Sequence, residues 1–287
     1  MELKNKELNN IYAVIVLYND DLKSSQTYQS FISNSGNLKF RGVIYDNSAI
    51  KQDVDGKDKL GDFEYCHDPS NKGLATAYNY ALKKAKENNC EWLFLLDQDT
   101  YFTEQYFEEL LKLNNMDKLD NDVVAIIPVI KSYSDKKTYI SPAKIYFGTF
   151  LPMNTLHCGK MVEKISGLNS GTIINCDFMK SIGTFNLDYP LDMLDHWYFR
   201  EIYRAGKNVY LLDAEIYQNL SVSDDFEGKM SINRYCNFLK VESQFYKSDS
   251  IFQYMMYKIR LNFRIVKQLK FNNKEYYKSS LKELFSL

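Results

Sequence analysis

The first hundred positions of the chain alternate between short apolar runs and polar stretches. The runs read IYAVIVL at 11–17, RGVIY at 41–45, FEYCH at 63–67 and WLFLL at 92–96. A short apolar run bounded by polar residues is typical of a strand buried on both faces of a parallel sheet. The pattern therefore predicts four strands in the first third of the chain.

The stretches between these strands carry the apolar spacing of helices. One helix is predicted through Tyr28 and Phe31 to Ile32, and another opens after Gly73. Strands interleaved with helices indicate an α/β fold with a doubly wound, mostly parallel sheet flanked by helices. The second helix has apolar residues every three or four positions, at Leu74, Ala77, Tyr78, Ala81, Leu82 and Ala85.

Beyond position 100 the pattern predicts two more strands and then helices. The strands are 123–130 and 209–217. Pro128 places the first of them near a sheet edge or a bulge, because proline cannot donate a hydrogen bond to a neighbouring strand. From Ser231 onward the spacing is helical. We therefore expect one α/β domain over residues 9–225 and a helical extension over 226–287.

Polar residues follow each of the first four strands. They are Tyr18-Asn19, Asp46-Asn47, Asn71 with Gly73, and Asp97 with Asp99. The carboxyl ends of parallel strands share one edge of the sheet, and ligands bind just outside it. This edge is thus the predicted site. Neither a GxGxxG fingerprint nor a Walker loop is present in the sequence, so carboxylates must do more of the binding than a glycine loop does.

Asp97 and Asp99 are the strongest chemical signal in the chain. Residues two apart on an extended segment point the same way, and two like charges so placed repel unless a cation lies between them. Oxygen ligands of this kind suit Mg²⁺ or Mn²⁺, which usually bind substrate phosphates as well. The alternative is an acidic turn that caps a helix starting near Thr103.

The C-terminal stretch differs in charge from the rest of the chain. The whole chain has a formal net charge of −1, yet residues 251–287 carry eight Lys or Arg against two Glu. A basic amphipathic helix here suits the headgroup region of an anionic membrane. A helix that packs on its own domain or on a second subunit of a homodimer is the alternative. The apolar positions are Phe252, Met255, Met256, Ile259, Phe263 and Val266.

Cysteine usage and hydropathy indicate a protein of the cytoplasm. The five cysteines are odd in number and lack CxxC spacing, as expected of free thiols. No signal peptide or long apolar run is recognisable in the sequence. The expected location is the cytoplasm, with contact at the inner face of the plasma membrane as an option, and no nucleic-acid partner is expected.

Four segments in order resemble one known family. VIVLYN, YDNSA, NKGLATAYN and LLDQDT together resemble the nucleotide-sugar half of an inverting glycosyltransferase of family two, which has the GT-A fold. The DQD form followed by Thr is similar to the rhamnosyltransferase-like branch. The resemblance extends less sharply to about Ser223, roughly three quarters of the chain.

The resemblance implies a nucleoside-diphosphate sugar as donor, linked to dTDP or UDP. It implies that Asp99 is the principal ligand of Mn²⁺ or Mg²⁺ on the diphosphate and that Asp97 meets the metal or the ribose. A cation there neutralises the charge that develops on the leaving group. The other donor-binding positions implied by the motifs are Tyr18, Asn19, Asp46, Asn71, Gly73 and Gln98.

The resemblance also implies a general base at the start of a helix that follows a segment containing Ser-Gly. That segment is 167–175, and its Ser170 and Gly171 would lie beside the acceptor. Direct displacement needs a base to take the proton of the acceptor hydroxyl. Asp195 fits the family pattern better than Asp192, which is the alternative base or the N-cap of the helix.

Two further positions carry open interpretations. Trp197 is either a platform for an acceptor sugar ring or a core residue. Gln218 stands where many family members have a metal-binding His, and an amide is the poorer ligand.

The predicted function is metal-dependent transfer of a sugar, with rhamnose as a candidate, to a surface polysaccharide such as a capsule or to a lipid-linked oligosaccharide. A catalytically impaired sugar- or nucleotide-binding scaffold and a nucleotidyltransferase are the alternatives.

Overall fold

A computed structural model describes residues 7–113, 119–146, 148–154, 157–218, 227 and 230–286. The chain divides into two compact units. Unit 1 comprises Met1–Lys144 with Pro152–Asn219, and unit 2 comprises Ile145–Leu151 with Leu220–Leu287. The predicted boundary between residues 225 and 226 lies outside the described residues and stays a prediction.

Six strands of the described residues have six or more residues, and the others have two to four. The strands are β1 (Glu7–Leu17), β2 (Lys39–Asp46), β3 (Gly61–His67), β4 (Trp92–Asp97), β5 (Thr100–Phe102), β6 (Val123–Ser132), β7 (Tyr139–Ser141), β8 (Ala143–Tyr146), β9 (Thr149–Pro152), β10 (Gly159–Lys160), β11 (Ile165–Ser166), β12 (Ile173–Asn175) and β13 (Asn208–Gln218).

Helices connect the strands of unit 1 and form the bulk of unit 2. They are α1 (Gln26–Asn34), α2 (Leu74–Glu87), α3 (Glu104–Lys112), α4 (Cys176–Ser181), α5 (Leu194–Arg204), α6 (Ile232–Asp249), α7 (Ile251–Gln268) and α8 (Glu275–Leu284). Two turns of 3₁₀ helix lie at Leu22–Ser24 and Lys57–Lys59. In the part of the chain described, no helix is both long and apolar enough to cross a membrane.

The main sheet of unit 1 has the order β10-β13-β6-β12-β4-β1-β2-β3. Strands β4, β1, β2 and β3 are mutually parallel neighbours, as the apolar runs predict. Strand β12 lies antiparallel between β4 and β6, and β13 runs parallel to β6. The mixed α/β sheet flanked by helices confirms the predicted fold class.

Pro128 lies at an irregularity in the pairing of β6 with β13. The register shifts between the pairs Leu211–Ile127 and Glu215–Val129, so this proline sits where the ladder is interrupted. Strand β6 has neighbours on both sides and is not an edge. Of the two predicted placements for Pro128, the bulge is therefore correct.

A cluster of aromatic rings supports the strands that lead to the predicted site. Phe31 of α1 meets Phe102 of β5 and Phe107 of α3 edge-on, at ring-centroid distances of 5.1 and 5.0 Å. Phe94 of β4 lies 6.1 Å from the same ring. Such contacts add to the free energy of burial. They fix α1, β4 and β5 around the turn that carries Asp97 and Asp99.

Unit 2 is built on α6, α7 and α8. Buried side chains on α7, Tyr257, Leu261 and Ile265, face the other two helices. The guanidinium of Arg264 donates to both carboxylate oxygens of Glu242 on α6, at 2.7 and 2.9 Å. A buried bidentate pair of this kind fixes the register of the two helices.

Candidate active site

The carboxyl ends of β1, β2 and β4 are joined by hydrogen bonds. The backbone N–H of Asn47 donates to Leu17 at 2.9 Å, and that of Asn19 donates to the Ser48 hydroxyl at 2.7 Å. Gln98 accepts from the N–H of Tyr18 at 2.7 Å and donates to its carbonyl at 3.2 Å. The strand ends therefore form one continuous edge, as predicted.

Among the predicted donor-binding residues on this edge, Tyr18 and Asp46 differ in exposure. The Tyr18 side chain is 52% exposed and available to a ligand. Asp46 is fully buried, and its carboxylate accepts from the N–H groups of Ser48 and Gln52 and from the Tyr65 hydroxyl, at 2.7–2.9 Å. Burial opposes its ionisation, but these hydrogen bonds outweigh burial and hold the pKa of Asp46 below its usual value. Asp46 thus shapes the loop after β2.

Asp97 ends β4 with its carboxylate held by two hydroxyls. Ser170 donates to one oxygen at 2.6 Å, and Tyr78 of α2 donates to the other at 3.3 Å. Burial, followed by the nearby charge of Asp99, raises the pKa of Asp97 to about 6. The two hydrogen bonds act in the opposite direction. A carboxylate so placed gains strongly from a nearby cation.

Asp99 lies in the turn after β4 and is paired with the end of β13. The Gln218 amide nitrogen donates to its Oδ1 at 2.8 Å. Asp99 is open to solvent on one side, and the protein around its other sides desolvates it and raises its pKa. The Gln218 Oε1 is buried and has no hydrogen-bond partner among the described residues. An orphaned acceptor next to two carboxylates is a feature that a cation would satisfy.

Thr27 holds the turn between the two aspartates. Its hydroxyl donates to the carbonyl of Asp97, and it accepts from the N–H of Thr100 at 3.3 Å. The Thr100 hydroxyl donates at 2.8 Å to Ser170, which in turn donates to Asp97. The turn is thus fixed by α1 on one side and by the segment before β12 on the other.

The residues present fit a divalent cation with part of its shell supplied by ligand. Asp97 and Asp99 offer carboxylate oxygens, and turning the Gln218 amide would offer a third oxygen. Across the described residues, no group of three or more His, Cys, Asp or Glu is placed to hold a metal. The remaining positions would fall to water and a diphosphate, the usual arrangement for Mg²⁺.

The start of α2 is packed against the loop before α5. Gly73 has φ +88, and a Cβ atom there would lie 2.3 Å from the carbonyl oxygen of Pro190. The same carbonyl accepts from the N–H of Ala75 at 3.2 Å. Asn71 is exposed, with φ 43, two residues before this contact. The predicted diphosphate side of the site therefore touches the loop that leads to the predicted base.

Asp195 lies in the first turn of α5, as predicted. The prediction that Asp192 caps this helix is wrong. The N-cap is Met193, in the left-handed region at φ 66, and no side chain caps the helix there. Because the chain turns at Met193, Asp192 lies before the helix.

Asp195 and Asp97 act on the same two phenols. Tyr78 and Tyr198 are buried, and burial raises the pKa of each well above its ordinary value. The charges of Asp97 and Asp195 raise both values further. The effect of a charge on a neighbouring pKa weakens as the distance between the two groups grows. Both carboxylates therefore lie near these two phenols.

The residues predicted to meet an acceptor are mostly covered. Trp197 is 7% exposed and stacks on Tyr189 at a ring-centroid distance of 6.4 Å. Ser170 is buried against Asp97, and Gly171 accepts from the Tyr106 hydroxyl at 2.8 Å. These three residues are buried, so they support the site from beneath its surface. A direct contact between any of them and an acceptor stays a prediction.

Tyr78 and Thr27 were not predicted from the sequence as site residues. Tyr78 falls on the apolar stripe of α2, where periodicity marks it only as core. Its hydroxyl is the one polar signal that distinguished it from its neighbours on that stripe. Thr27 lies in a polar stretch with no such signal.

The amino-acid sequence is similar to those of known glycosyltransferases. The family model described as "Glycosyl transferase family 2" matches residues 12–176. A relative in Shigella flexneri, the dTDP-rhamnosyl transferase RfbF, is 26% identical over 197 residues. That match covers 67% of this chain and 63% of the relative, so the chain spans less than two thirds of the relative's length.

Solved glycosyltransferase structures share the fold. GalNAc-T7, solved with UDP, GalNAc and Mn²⁺, aligns with a TM-score of 0.55 at 13% identity, covering 96% of this chain and 54% of its own. The mannosyltransferase PcManGT from Pyrobaculum calidifontis, solved with GDP-Man and Mn²⁺, aligns with a TM-score of 0.51 at 12% sequence identity. The alignment covers 96% of this chain and 73% of the PcManGT chain. S. aureus TarS 1–349 aligns with a TM-score of 0.51 at 14% sequence identity. The alignment covers 97% of this chain and 72% of the TarS chain. The predicted GT-A fold is thereby confirmed.

Proposed function

Because the chain belongs to glycosyl transferase family 2, we propose that it transfers a sugar from a nucleoside-diphosphate donor to a hydroxyl group of a growing saccharide. The donor is dTDP-rhamnose or a UDP-linked sugar, and the acceptor belongs to a surface polysaccharide or a lipid-linked oligosaccharide. The likeness to a dTDP-rhamnosyl transferase supports the choice of sugar. The observation that carries the proposal is the pair Asp97 and Asp99 at a strand edge, where Ser170 and Tyr78 hold Asp97 and Gln218 holds Asp99.

The donor side of the site is the edge formed by β1, β2 and β4. Tyr18 and Asn19 border the nucleoside, and the N-terminal end of α2 after Gly73 faces the diphosphate, since helix N-termini favour anions. Asp99, with Asp97 and the Gln218 Oε1 beside it, would hold Mn²⁺ or Mg²⁺. Such a cation would neutralise the charge that develops on the diphosphate leaving group.

On the acceptor side of the site, Asp195 is the general base. Its carboxylate takes the proton of the acceptor hydroxyl, whose oxygen forms a bond to the anomeric carbon. The bond from that carbon to the diphosphate oxygen breaks, and its electron pair leaves with the nucleoside diphosphate. Attack from the face opposite the leaving group inverts the anomeric configuration. The neighbouring His196 is held by Ser166 at 2.6 Å, and we assign the role of base to Asp195, with Asp192 as the alternative.

Titration calorimetry with UDP and with dTDP, each with and without Mn²⁺, tests the donor half of this proposal. We expect one nucleotide to bind at least about tenfold more tightly when Mn²⁺ is present, which corresponds to about 1.4 kcal/mol. Equal binding with and without metal would contradict the metal role. Absence of binding by either nucleotide would favour a scaffold protein with an impaired site.

Asp195→Asn tests the acceptor half. The isosteric amide cannot accept the proton, so we expect transfer to fall by at least about 10²-fold while donor binding is unchanged. Asp192→Asn is the matched control, three positions away and outside the helix. If Asp192→Asn abolishes transfer and Asp195→Asn does not, the base is Asp192.

A further inference from the structure

Helix α7 is apolar on two faces, and the residues that the structure describes cover one of them. The covered face packs on α6 and α8 through Tyr257, Leu261 and Ile265. The opposite face carries large apolar side chains that are 48–70% exposed. A helix that is apolar all round belongs in an interior, so the second face requires a covering surface. Its members are Phe252, Met255, Ile259, Phe263 and Val266.

These five side chains form one continuous stripe. Their spacing of three and four positions keeps them on one side of the helix, and Ile251 and Leu269 extend it at the two ends with 82 and 51% exposure. From Phe252 to Val266 the stripe runs about 21 Å along the helix axis, at about 1.5 Å per residue. A contiguous apolar surface of this size marks a site of contact with a protein or a membrane.

The charges on α7 are all of one sign. The helix has no Asp or Glu and carries Lys258, Arg260, Arg264 and Lys267. Three of these are engaged within unit 2. Lys258 donates to carbonyl groups at the end of α8, Arg260 donates to the Thr149 hydroxyl at 3.4 Å, and Arg264 pairs with Glu242. Lys267 is exposed, and Lys270 follows one residue beyond the stripe and is exposed as well, so cations border the apolar face.

This charge pattern distinguishes a lipid surface from a second copy of the chain. In a two-fold contact between copies, each α7 would meet another α7, because such an interface is self-complementary. Basic side chains would then face basic side chains, with no carboxylate on either helix to neutralise them. An anionic bilayer offers both an apolar interior for the stripe and negative headgroups for the flanking cations.

We propose that the outer face of α7 binds the surface of an anionic membrane. Phe252, Ile259 and Phe263 enter the boundary between headgroups and acyl chains, and the helix lies parallel to the bilayer plane. The contact requires neither nucleotide nor metal, so it stands apart from the function proposed above. It would place the enzyme at the surface where a lipid-linked acceptor resides.

Co-sedimentation of the full chain with vesicles tests the proposal. Vesicles of phosphatidylcholine alone are compared with vesicles containing 30% phosphatidylglycerol, a fraction on the order of that in anionic membranes. We expect binding to the anionic vesicles, and we expect Phe252→Gln/Phe263→Gln to weaken it at least about tenfold. Val162→Gln is the matched control, because Val162 is 98% exposed in unit 1. It should bind as the unaltered chain does.

Three results would overturn the proposal. The unaltered chain could fail to sediment with anionic vesicles, or the double variant could bind as well as the control. Light scattering could instead show a dimer that the double variant converts to a monomer, and the stripe would then be an interface between copies. Far-UV circular dichroism and thermal unfolding are measured on every variant, so that loss of the helical fold of unit 2 is separated from loss of the membrane contact.

Discussion

The groups around the Asp97 carboxyl act on its pKa in opposite directions. Burial and the charge of Asp99 favour its protonated form, and the hydroxyls of Ser170 and Tyr78 favour its ionised form. The first pair prevails, and the pKa rises to about 6. In the absence of a cation the folded chain therefore binds a proton here more tightly than the unfolded chain does.

This raised pKa predicts a pH-dependent cost to stability. A carboxyl with a folded-state pKa near 6 and an unfolded value of 3.8 stabilises the fold below about pH 4, and that contribution is lost as pH rises through 6. Asp97→Asn keeps the shape without the charge. In EDTA we expect the variant to be more stable than the unaltered chain above pH 6, by about 1–3 kcal/mol, and equal to it near pH 4. Urea unfolding from pH 4 to 8 measures the difference, and a pH-independent difference would contradict the raised pKa.

Gln218 sets the strength of the proposed metal site. Its amide nitrogen now donates to Asp99, and only a rotated amide presents the orphaned oxygen. An imidazole nitrogen is a stronger donor to a divalent transition metal than a neutral amide oxygen is. We therefore expect Gln218→His to bind Mn²⁺ about tenfold more tightly, as seen by Mn²⁺ electron paramagnetic resonance. Gln218→Ala serves as the control and should weaken binding; equal affinities in all three proteins would remove Gln218 from the site.

Local pattern marks the two aspartates, whereas Ser170 and Gln218, which hold them, are singled out only by the family resemblance. Asp97 and Asp99 follow an apolar strand, and that local pattern is visible in ten residues. Ser170 and Gln218 come from strands and loops far along the chain, and periodicity carries no information about which distant residue a carboxylate will meet. The burial of Trp197 is hidden for the same reason, because a tryptophan at a helix start suits a surface and a core equally.

At the scale of elements, α2 and the loop before α5 are in direct contact through Gly73. The carbonyl of Pro190 occupies the space that any side chain at position 73 would need. The donor side and the base side of the site are thereby held at a fixed separation. A glycine in the left-handed region is required by this contact as well as by the backbone.

Gly73→Ala tests this contact. The added methyl group meets a backbone oxygen, so we expect a loss of more than about 2 kcal/mol in the free energy of unfolding and a raised KM for the donor. Gly36→Ala is the control, since Gly36 also has positive φ but nothing lies within 4 Å of its Cβ position. It should cost only the backbone strain, about 1 kcal/mol. Equal losses in the two variants would mean that the Pro190 contact contributes nothing.

The long elements were predicted within a few residues and the short ones were not. Strands β1 to β4, β6 and β13 contain apolar runs, and these runs predict them. Strands β7 to β11 have two to four residues each, and tertiary pairing rather than local pattern decides them. Asp192 does not cap α5, because the N-cap is Met193, a residue with a Cβ that adopts the left-handed conformation uncommon for residues other than Gly.

At the scale of the whole molecule, the candidate active site and the exposed face of α7 lie in different units. The described residues that make up the candidate active site lie in unit 1, and the Arg264–Glu242 pair and the exposed face of α7 lie in unit 2. The stability of unit 2 is therefore open to change without altering a residue of the active site.

Glu242→Gln tests this separation. Removing one partner of a buried pair leaves the Arg264 charge uncompensated and costs about 3–5 kcal/mol. We expect calorimetric unfolding at a lower temperature, with nucleotide binding at 15 °C unchanged, a temperature about at the maximum of stability for most domains. Glu275→Gln, which breaks an exposed pair with Lys278, is the control and should have no measurable effect. Matching shifts in the two variants would show that the buried pair is not important for stability.

The order of strands in the sheet has a consequence for the chain as it is made on the ribosome. Strands β1 to β4 are complete by residue 97 and pair among themselves, whereas Ser170 and Gln218 reach their aspartates only from 73 and 119 positions further on. Domains fold as their residues emerge, and contacts distant in sequence form last. A nascent chain that stops short of Ser170 has the first four strands of its sheet, but Asp97 lacks the Ser170 hydroxyl and Asp99 lacks the Gln218 amide. Chain growth thus separates the moment of folding from the moment at which the enzyme becomes competent.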